Sequence, residues 1–249
     1  MSTRAQPRKL EGQVALVTGA GRGIGRALAL ALAAEGAAVG ALARNREELE
    51  RVVAEITQAD GRAIALPTDV TDAAAVKRAV DQTALAFGGL DLVLANAGVS
   101  PPPASLIESD PQVFQHTLNV NLFGVYATLR AAVPHLKQRG RGNVVIVGSG
   151  MGHKASPDSA AYSSSKAAVW MLTRVLAEEL RSSDILVNEL VPGPVDTSIS
   201  QPGLSRILQG NPNEWLKQPA DVVPLALFLA TLPLKGPTGQ SFSLARREL

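Results

Sequence analysis

The chain has 249 residues, 46% of them hydrophobic and 18% charged, which is enough apolar material to bury the core of one large domain. Its 24 basic and 22 acidic side chains leave a net charge of +2, and no basic block indicates a nucleic-acid partner. Cysteine is absent, which excludes disulfides and thiolate chemistry, and His116, His135 and His153 are too far apart in sequence to predict a metal site.

The N-terminal part of the chain predicts neither export nor membrane insertion. The first dozen residues are polar, and we expect residues 1–10 to form a flexible, solvated tail. The run 27–43 is rich in Ala and Leu, but it contains Glu35 and is interrupted by Gly36 and Gly40. It therefore predicts a buried helix and a buried strand rather than a membrane span, and we expect a cytoplasmic protein.

Short apolar runs alternate with longer helical patterns along the chain. Strands are predicted at 14–17, 38–42, 63–66, 92–94, 144–147 and 185–191, with a seventh near 240–244. Helices are predicted near 24–35, 46–58, 73–87, 112–138 and 159–182. This alternation indicates an α/β fold in which one domain, residues 1–249, holds a doubly wound, seven-stranded parallel sheet.

One irregular segment, residues 194–218, interrupts this alternation. It mixes Pro, Gly and Asn with the apolar side chains of Leu204, Ile207, Leu208 and Trp215. Long irregular segments in compact domains are commonly functional, so we expect a lid over a substrate site. With the three prolines at 101–103, these side chains predict a largely apolar pocket mouth.

A glycine-rich turn, Thr18-Gly-Ala-Gly-Arg-Gly-Ile-Gly25, follows the first predicted strand and opens into a helix. Gly19 permits the sharp turn, and Gly23 and Gly25 let backbone and helix approach a pyrophosphate closely. The helix N-terminus offers free N–H groups and a partial positive charge to an anion. We therefore predict a Rossmann-type dinucleotide-binding turn formed by Gly19, Gly21, Arg22, Gly23, Ile24 and Gly25.

The end of the second predicted strand indicates which dinucleotide binds. Proteins that use NAD(H) commonly place an acid there to bind the ribose 2′-hydroxyl, whereas this chain has Ala43 followed by Arg44. Arg22 and Arg44 can clamp a 2′-phosphate through charge-assisted bonds. The pair predicts NADP(H), with NAD(H) as the weaker alternative by about ten- to several-hundred-fold.

Tyr162 and Lys166 lie four residues apart in a predicted helix and therefore share one face. A cation beside a phenol favours the phenolate, so we expect the Tyr162 pKa to fall from its usual ~10 toward neutrality. Such a group suits general acid or base catalysis of alcohol/carbonyl interconversion. For the pair alone, a surface tyrosine and a solvated lysine remain the alternative.

Taken together, the motifs resemble the short-chain dehydrogenase/reductase family. The resemblance covers roughly residues 11–244 and is carried, besides the glycine turn and the Tyr–Lys pair, by Asp69-Val70, Asn96-Ala-Gly98, Asn121, Ser149, Pro192-Gly193 and Thr197. It implies an oxidoreductase resembling the 3-oxoacyl-acyl-carrier-protein reductases, with a small carbonyl or alcohol substrate and a homotetramer or homodimer. The composition predicts no nucleic-acid partner and no membrane partner.

The resemblance also implies a role for each residue. Tyr162 is the acid/base, Lys166 lowers its pKa and binds the nicotinamide ribose, Ser149 polarises the substrate carbonyl, and Asn121 anchors a water of a proton relay. Cofactor contacts are implied for Asp69, Val70, Asn96, Ala97, Gly98, Pro192, Gly193, Val195 and Thr197.

The chain also departs from the family pattern. Gly148 stands where many relatives have a second serine, and the C-terminal sequence lacks the Asp-Gly-Gly common among the acyl-carrier-protein reductases. We expect His153 to be a solvated loop residue, with a place in the pocket wall as the alternative, and Asn188 to bond backbone in the core. A non-catalytic redox sensor or scaffold, and an isomerase, dehydratase or epimerase, are the other functions considered. Sugars, steroids, acyl thioesters and aryl ketones all stay open as substrates.

Overall fold

The computed structural model describes residues 8–197, 199, 208 and 214–246. Within these residues seven strands form one parallel sheet, in the spatial order third, second, first, fourth, fifth, sixth and seventh. This arrangement confirms the predicted fold class, including the seventh strand. The strands are β1 (Val14–Thr18), β2 (Ala38–Ala43), β3 (Arg62–Pro67), β4 (Leu92–Ala95), β5 (Gly142–Val147), β6 (Ile185–Val191) and β7 (Ser241–Ser243).

Helices cover both faces of the sheet. The helices of the described chain are α1 (Gly23–Ala34), α2 (Arg46–Gln58), α3 (Ala73–Phe87), α4 (Pro111–Leu118), α5 (Gly124–Arg139), α6 (Ala160–Leu180) and α7 (Pro219–Ala230). Apolar side chains of α1, α2 and α7 pack on one face, and those of α3, α5 and α6 pack on the other. The near-continuous apolar strands are explained by this double burial, as expected for parallel sheets.

The order of the strands fixes where a ligand can bind. From β1 the chain runs outward through β2 to β3, then returns so that β4 pairs with β1 on its other side. The carboxyl ends of β1 and β4 therefore flank a crevice at the point where the direction of winding reverses. Asn45 and Asp72 cap the helices that leave this edge, accepting bonds from the N–H groups of the first turns of α2 and α3.

Two features of the helices differ from the sequence prediction. The helix expected at 112–138 is divided by a π-helical turn, Asn119–Phe123, between α4 and α5. Helix α7 was not predicted, because Pro224 lies inside it and its apolar residues show no clear face. Its start is nevertheless marked, since the Asp221 carboxylate accepts a hydrogen bond from the Gln218 N–H at 2.7 Å.

The expected N-terminal tail and lid are only partly within the described residues. Leu10, at the end of the expected tail, is fully buried, and its N–H donates to the Glu35 carbonyl at 2.9 Å. Residues 1–7 lie outside the described residues, as do Leu204 and Ile207 of the expected lid. Trp215 is 43% exposed. Of the helices that the structure describes, none combines the length and apolarity needed to cross a bilayer.

Candidate active site

A cavity of about 1210 Å³ lies along the carboxyl ends of the strands. It extends from the glycine-rich turn after β1 to the start of α6. Of the site residues predicted from the sequence, Gly25 and Asn121 do not line it. Those that line it are Gly19, Gly21, Arg22, Gly23, Ile24, Arg44, Asp69, Val70, Asn96, Ala97, Gly98, Ser149, Tyr162, Lys166, Pro192, Gly193, Val195 and Thr197.

The glycine-rich turn forms an open cradle at the start of α1. Gly19 and Gly23 have φ values of +67° and +55°, which L side chains rarely adopt. A Cβ at Gly25 would lie 2.1 Å from the Gly19 carbonyl oxygen, so this glycine is required for the close packing of turn and helix. Arg22 is at the N-cap of α1, and within the described residues its side chain makes no hydrogen bond to the N–H groups of the first turn. Its first N–H groups therefore suit a phosphate.

Asn96 holds this cradle together rather than only lining it. Its Nδ2 donates to the Thr18 carbonyl at 3.0 Å, and the Asn96 and Ala97 N–H groups donate to Thr18 Oγ1, each at 3.0 Å. A Cβ on Gly19 would meet Asn96 Nδ2 at 2.8 Å. The end of β4 is thereby fixed against the turn that follows β1.

Charged side chains gather at the end of the cavity next to β2. Arg44 lines the wall, and Arg22 Nη1 lies 3.9 Å from Glu48 Oε1. Glu48 also lines the cavity, although its position at the start of α2 suggested only a favourable interaction with the helix dipole. Arg22, Arg44 and Glu48 together leave one net positive charge at this end of the cavity, which suits a phosphate.

Asp69 follows β3 on the same wall. Its Oδ1 accepts bonds from the Thr71 N–H and hydroxyl at 2.9 and 2.8 Å. Burial raises the pKa of this carboxyl, but the two Thr71 hydrogen bonds and the charge of Arg44 outweigh it and leave the pKa below its usual value. Asp69 is therefore a fixed, ionised acceptor.

Ser149 and Tyr162 meet at the inner end of the cavity. Ser149 follows β5 and caps the 3₁₀ turn Gly150–Gly152, where its Oγ accepts a bond from the Met151 N–H at 3.2 Å. Burial raises the pKa of Tyr162, and a hydrogen bond with the Ser149 side chain offsets part of the rise. The expectation that the Tyr162 pKa falls is therefore wrong for the protein without cofactor. The phenol stays protonated at neutral pH.

Lys166 lies one turn further along α6 and is 5% exposed. Its Nζ donates to the Val147 carbonyl at 2.8 Å and lies 5.9 Å from the centroid of the Tyr162 ring. Burial lowers the Lys166 pKa to about 8, while the negative charge of Glu189 acts to raise it. The lysine is thus cationic at neutral pH but close to losing its charge.

Asn121 is placed behind the cavity wall, in the π-turn between α4 and α5. It is fully buried, its Oδ1 accepts a bond from the Val99 N–H at 2.8 Å, and its Nδ2 donates to the Val99 carbonyl at 2.9 Å and to Ser165 Oγ at 3.0 Å. Single-turn π insertions recur at functional sites. Here the side chain fixes the loop after Gly98 to α6.

Two further sequence expectations concern β6 and its surroundings. Asn188 bonds backbone as expected, donating to the Pro237 carbonyl at 2.8 Å and accepting from the Gln240 N–H at 3.0 Å. His153 is not a solvated loop residue, because its side chain is 9% exposed and its Nε2 lies 2.8 Å from Glu189 Oε2. Glu189 was not recognised as a site residue, since only its place in an apolar strand was visible.

The substrate side of the cavity is mostly apolar. Of this wall, the sequence predicts only the prolines, because its other members lie in loops and on α4 and form no separate sequence pattern. The wall includes Val99, Pro101, Pro102, Pro103, Val113, Phe114 and Met151.

Comparison with known proteins identifies the family. The model of the short-chain dehydrogenases matches residues 13–206. A short-chain type dehydrogenase/reductase of Picea abies is 36% identical over 89% of this chain and 87% of its own. A 3-oxoacyl-acyl-carrier-protein reductase of Thermotoga maritima is 33% identical over 93% of this chain and 96% of its own.

Solved structures of the same family resemble this chain over nearly its whole length. A short chain dehydrogenase from Burkholderia cenocepacia in complex with NADP has a TM-score of 0.89 at 34% identity, covering 95% of this chain and 98% of that one. A 3-ketoacyl-ACP reductase from Sinorhizobium meliloti has a TM-score of 0.85 at 39% identity, covering 93% and 96%. The chain therefore belongs to the short-chain dehydrogenase/reductase family and is an NAD(P)-dependent oxidoreductase acting on CH–OH groups.

Proposed function

We propose that the protein interconverts a ketone or aldehyde and the corresponding alcohol with NADP(H), using Tyr162 as general acid/base. The observation that carries this proposal is the position of three groups at one end of a single cavity. The Tyr162 phenol, the Ser149 hydroxyl and the Lys166 ammonium lie there, and the phosphate cradle lies at the other end. NADP(H), when bound, supplies or accepts the hydride.

The chain itself supplies position and a proton. Ser149 Oγ, fixed by the 3₁₀ turn, donates to the carbonyl oxygen on which negative charge develops during reduction. Tyr162 is protonated at neutral pH and transfers its proton to the same oxygen, as a general acid must. Lys166 stabilises the phenolate that remains, because an adjacent cation favours the charged form. In the oxidation direction the same groups act in reverse.

The two tyrosines of the chain allow a matched test of this mechanism. Tyr162→Phe removes the phenolic proton, whereas Tyr126→Phe makes the same change at a side chain that is 45% exposed and does not line the cavity. We expect Tyr162→Phe to lower ketone reduction by about 10²- to 10⁴-fold and Tyr126→Phe to leave it unchanged. Both variants should bind NADPH normally, as measured by nicotinamide fluorescence.

The substrates to test follow from the apolar wall. We propose a carbonyl carbon that carries at least one apolar group, and a panel of aryl-alkyl ketones followed at 340 nm tests it. If Tyr162→Phe keeps more than a tenth of the wild-type rate, the tyrosine is not the acid. If the wild type binds NADPH but reduces no member of the panel and none of a second panel of sugars and acyl thioesters, the non-catalytic sensor becomes the better description.

The preference for NADP(H) over NAD(H) is supported by Arg22 and Arg44 at the β2 end of the cavity. We expect NADPH to bind at least tenfold more tightly than NADH. Arg44→Ala should remove most of this difference by weakening NADPH alone. Arg46→Ala is the matched control, since Arg46 is largely exposed and paired with Glu50 on α2. Equal loss of both cofactors in Arg44→Ala would contradict the phosphate contact.

We also propose that residues 194–218 cover the substrate, within one domain spanning 1–249. The two ends of this segment are joined, because the Asp196 N–H donates to the Lys217 carbonyl at 2.7 Å and the Lys217 N–H donates to the Pro194 carbonyl at 3.0 Å. The segment is thus anchored next to Gly193 on the cavity wall. Slower tryptic cleavage after Arg206 with NADPH and ketone than with NADPH alone would support the assignment.

A homotetramer is proposed from apolar side chains that α5, α6 and the π-turn leave exposed. Phe123, Met171 and Val175 are 39%, 49% and 45% exposed. Burying such groups is the usual reason for subunit association. Light scattering should give four times the chain mass of 25.9 kDa, and a clean monomer would exclude the assembly.

A further inference from the structure

A buried carboxylate lies behind the catalytic groups and has no part in the mechanism above. Glu189, on β6, is fully buried and does not line the cavity. Its Oε2 accepts a hydrogen bond from Ser241 Oγ on β7 and lies 2.8 Å from His153 Nε2. Its Oε1 has no hydrogen-bond partner among the described residues. A buried ionised group is costly unless it interacts with another charge, so this carboxylate requires an explanation.

The unpartnered oxygen lies against the backbone that carries Ser149. A Cβ added to Gly148 would be 1.8 Å from Glu189 Oε1, so the carboxylate occupies the space that a side chain at 148 would need. On the other side of the same turn, a Cβ at Gly152 would be 2.7 Å from the Lys166 carbonyl carbon. The turn after β5 is therefore held between Glu189 and the backbone of α6.

Glu189 and Lys166 approach the same short stretch of backbone at the end of β5: Glu189 Oε1 lies against Gly148, and Lys166 Nζ donates to the carbonyl of the preceding residue, Val147, at 2.8 Å. The carboxylate is therefore placed to act on the charge of Lys166. Burial brings the Lys166 pKa down to about 8, and the Glu189 charge is the interaction that opposes this fall.

The other ionisable side chains on the elements around Lys166 are Tyr162 on α6 itself, His153 after β5, His116 on α4, and a group at the far end of α6 that is exposed to solvent: Arg174, Glu178, Glu179 and Arg181. His116 is exposed and acts on Asp69. The π-turn contributes the neutral amide of Asn121.

We propose that Glu189, fixed in place by His153 and Ser241, is a positioning residue that acts through Lys166 by keeping its side chain cationic at neutral pH. Gly148 is required for this arrangement, because only glycine leaves room for the Glu189 carboxylate. An effect of Glu189 on the rate of carbonyl reduction rests on the proposed function, whereas its effect on the charge of Lys166 is independent of that function.

The direct test is the titration of Lys166 itself, followed by NMR of protein labelled with ¹³C at the lysine ε-carbon. The chain has few lysines, and the Lys166 resonance is the one that disappears in Lys166→Arg. We expect Glu189→Gln to lower its titration midpoint by about one pH unit. Glu178→Gln is the matched control, because it removes the same charge from an exposed position on α6 and should leave the midpoint unchanged.

A second variant guards against misfolding of Glu189→Gln. In Gly148→Ala with Glu189→Ala the new methyl group enters the space that the carboxylate leaves, and the same lowered midpoint is expected. An unchanged Lys166 midpoint in either folded variant would overturn the proposal, whatever the activity.

A pH profile of kcat/KM in the reduction direction gives the catalytic consequence. The alkaline loss of activity should move to lower pH by the same interval in Glu189→Gln and stay in place in Glu178→Gln. A shifted Lys166 titration in a protein that reduces no carbonyl compound would reject the proposed function and retain the role of Glu189. A shifted titration with an unshifted activity profile would overturn the link to catalysis.

Discussion

Gly148 and Glu189 should depend on each other energetically, and Gly148→Ala is the perturbation that shows it. The added methyl group would lie 1.8 Å from Glu189 Oε1, 2.5 Å from Cδ and 2.6 Å from Cγ. All three distances are far below van der Waals contact. Gly148 does not have a left-handed backbone conformation, so backbone strain does not contribute. The cost of the substitution is therefore set mainly by the clash with the Glu189 side chain.

The magnitude follows from what the carboxylate can do in response. If Glu189 stays and the surroundings shift, overpacking costs about 1–3 kcal/mol. If it moves away from His153 and Ser241, breaking a buried charged pair costs about 3–5 kcal/mol. We therefore expect a loss of about 3 kcal/mol, or a fall in Tm of roughly 6–12 °C for a chain of this length.

Calorimetry on four proteins at equal concentration measures the coupling. These are the wild type, Gly148→Ala, Glu189→Ala and the double variant. Glu189→Ala removes the three closest contacts of the new methyl group, so Gly148→Ala should cost less than about 1 kcal/mol in the Glu189→Ala background. Additivity within about 0.5 kcal/mol would refute the reasoning, because it would mean that the two positions do not share the same space.

Three further predictions concern other parts of the site. Lys166→Met should stabilise the protein without cofactor by about 2 kcal/mol at pH 7. The pKa of Lys166 is about 8 in the folded protein and 10.5 in the unfolded chain, so burying the charged lysine destabilises the wild type fully below pH 8. This destabilisation disappears as the pH rises to 10.5, because the lysine is then neutral in both states. The advantage of Lys166→Met in thermal melts should therefore disappear between pH 8 and 10.5. Glu48→Gln, which frees Arg22 from its carboxylate, should tighten NADPH by about three- to tenfold in a fluorescence titration, with NADH unchanged. Asn121→Ala leaves the half-buried N–H and carbonyl of Val99 without their partner and should lower stability by about 2 kcal/mol in urea unfolding. A normal NADPH affinity in this variant would contradict a role of Asn121 in holding the cavity wall.

Much of the fold was predictable because its determinants are local. Strands β1 to β6 are short, mainly apolar runs bounded by turns or helix caps, and the glycine-rich turn lies within eight consecutive residues. Helix α7 escaped prediction because two prolines and an all-round apolar composition removed its periodicity. The π-turn escaped because an inserted residue leaves no mark in a continuous helical pattern.

The candidate site also contains residues that local spacing reveals and residues that only the packed structure reveals. Tyr162 and Lys166 are recognisable from their spacing, but the direction of the Tyr162 pKa depends on burial, which no spacing reports. Glu189 could not be interpreted from the sequence, because His153 and Ser241 lie 36 and 52 residues away along the chain. Its effect on Lys166 exists only once β6 and α6 pack together.

The π-turn Asn119–Phe123 lets the chain hold one extra residue without disturbing the helix that follows. The extra residue is absorbed inside the turn, because the Gly124 N–H bonds the Asn119 carbonyl five residues back instead of four. The side chains of α5 that face the core, such as Leu129 and Leu136, therefore keep the orientation that a regular helix would give them. Deleting one residue from the turn would restore a regular helix and leave the packing of α5 in place, but it would draw in the stretch that holds Asn121 against the Val99 loop. The same deletion inside α5 would instead rotate every later side chain of the helix by about 100° and should be far more damaging to stability.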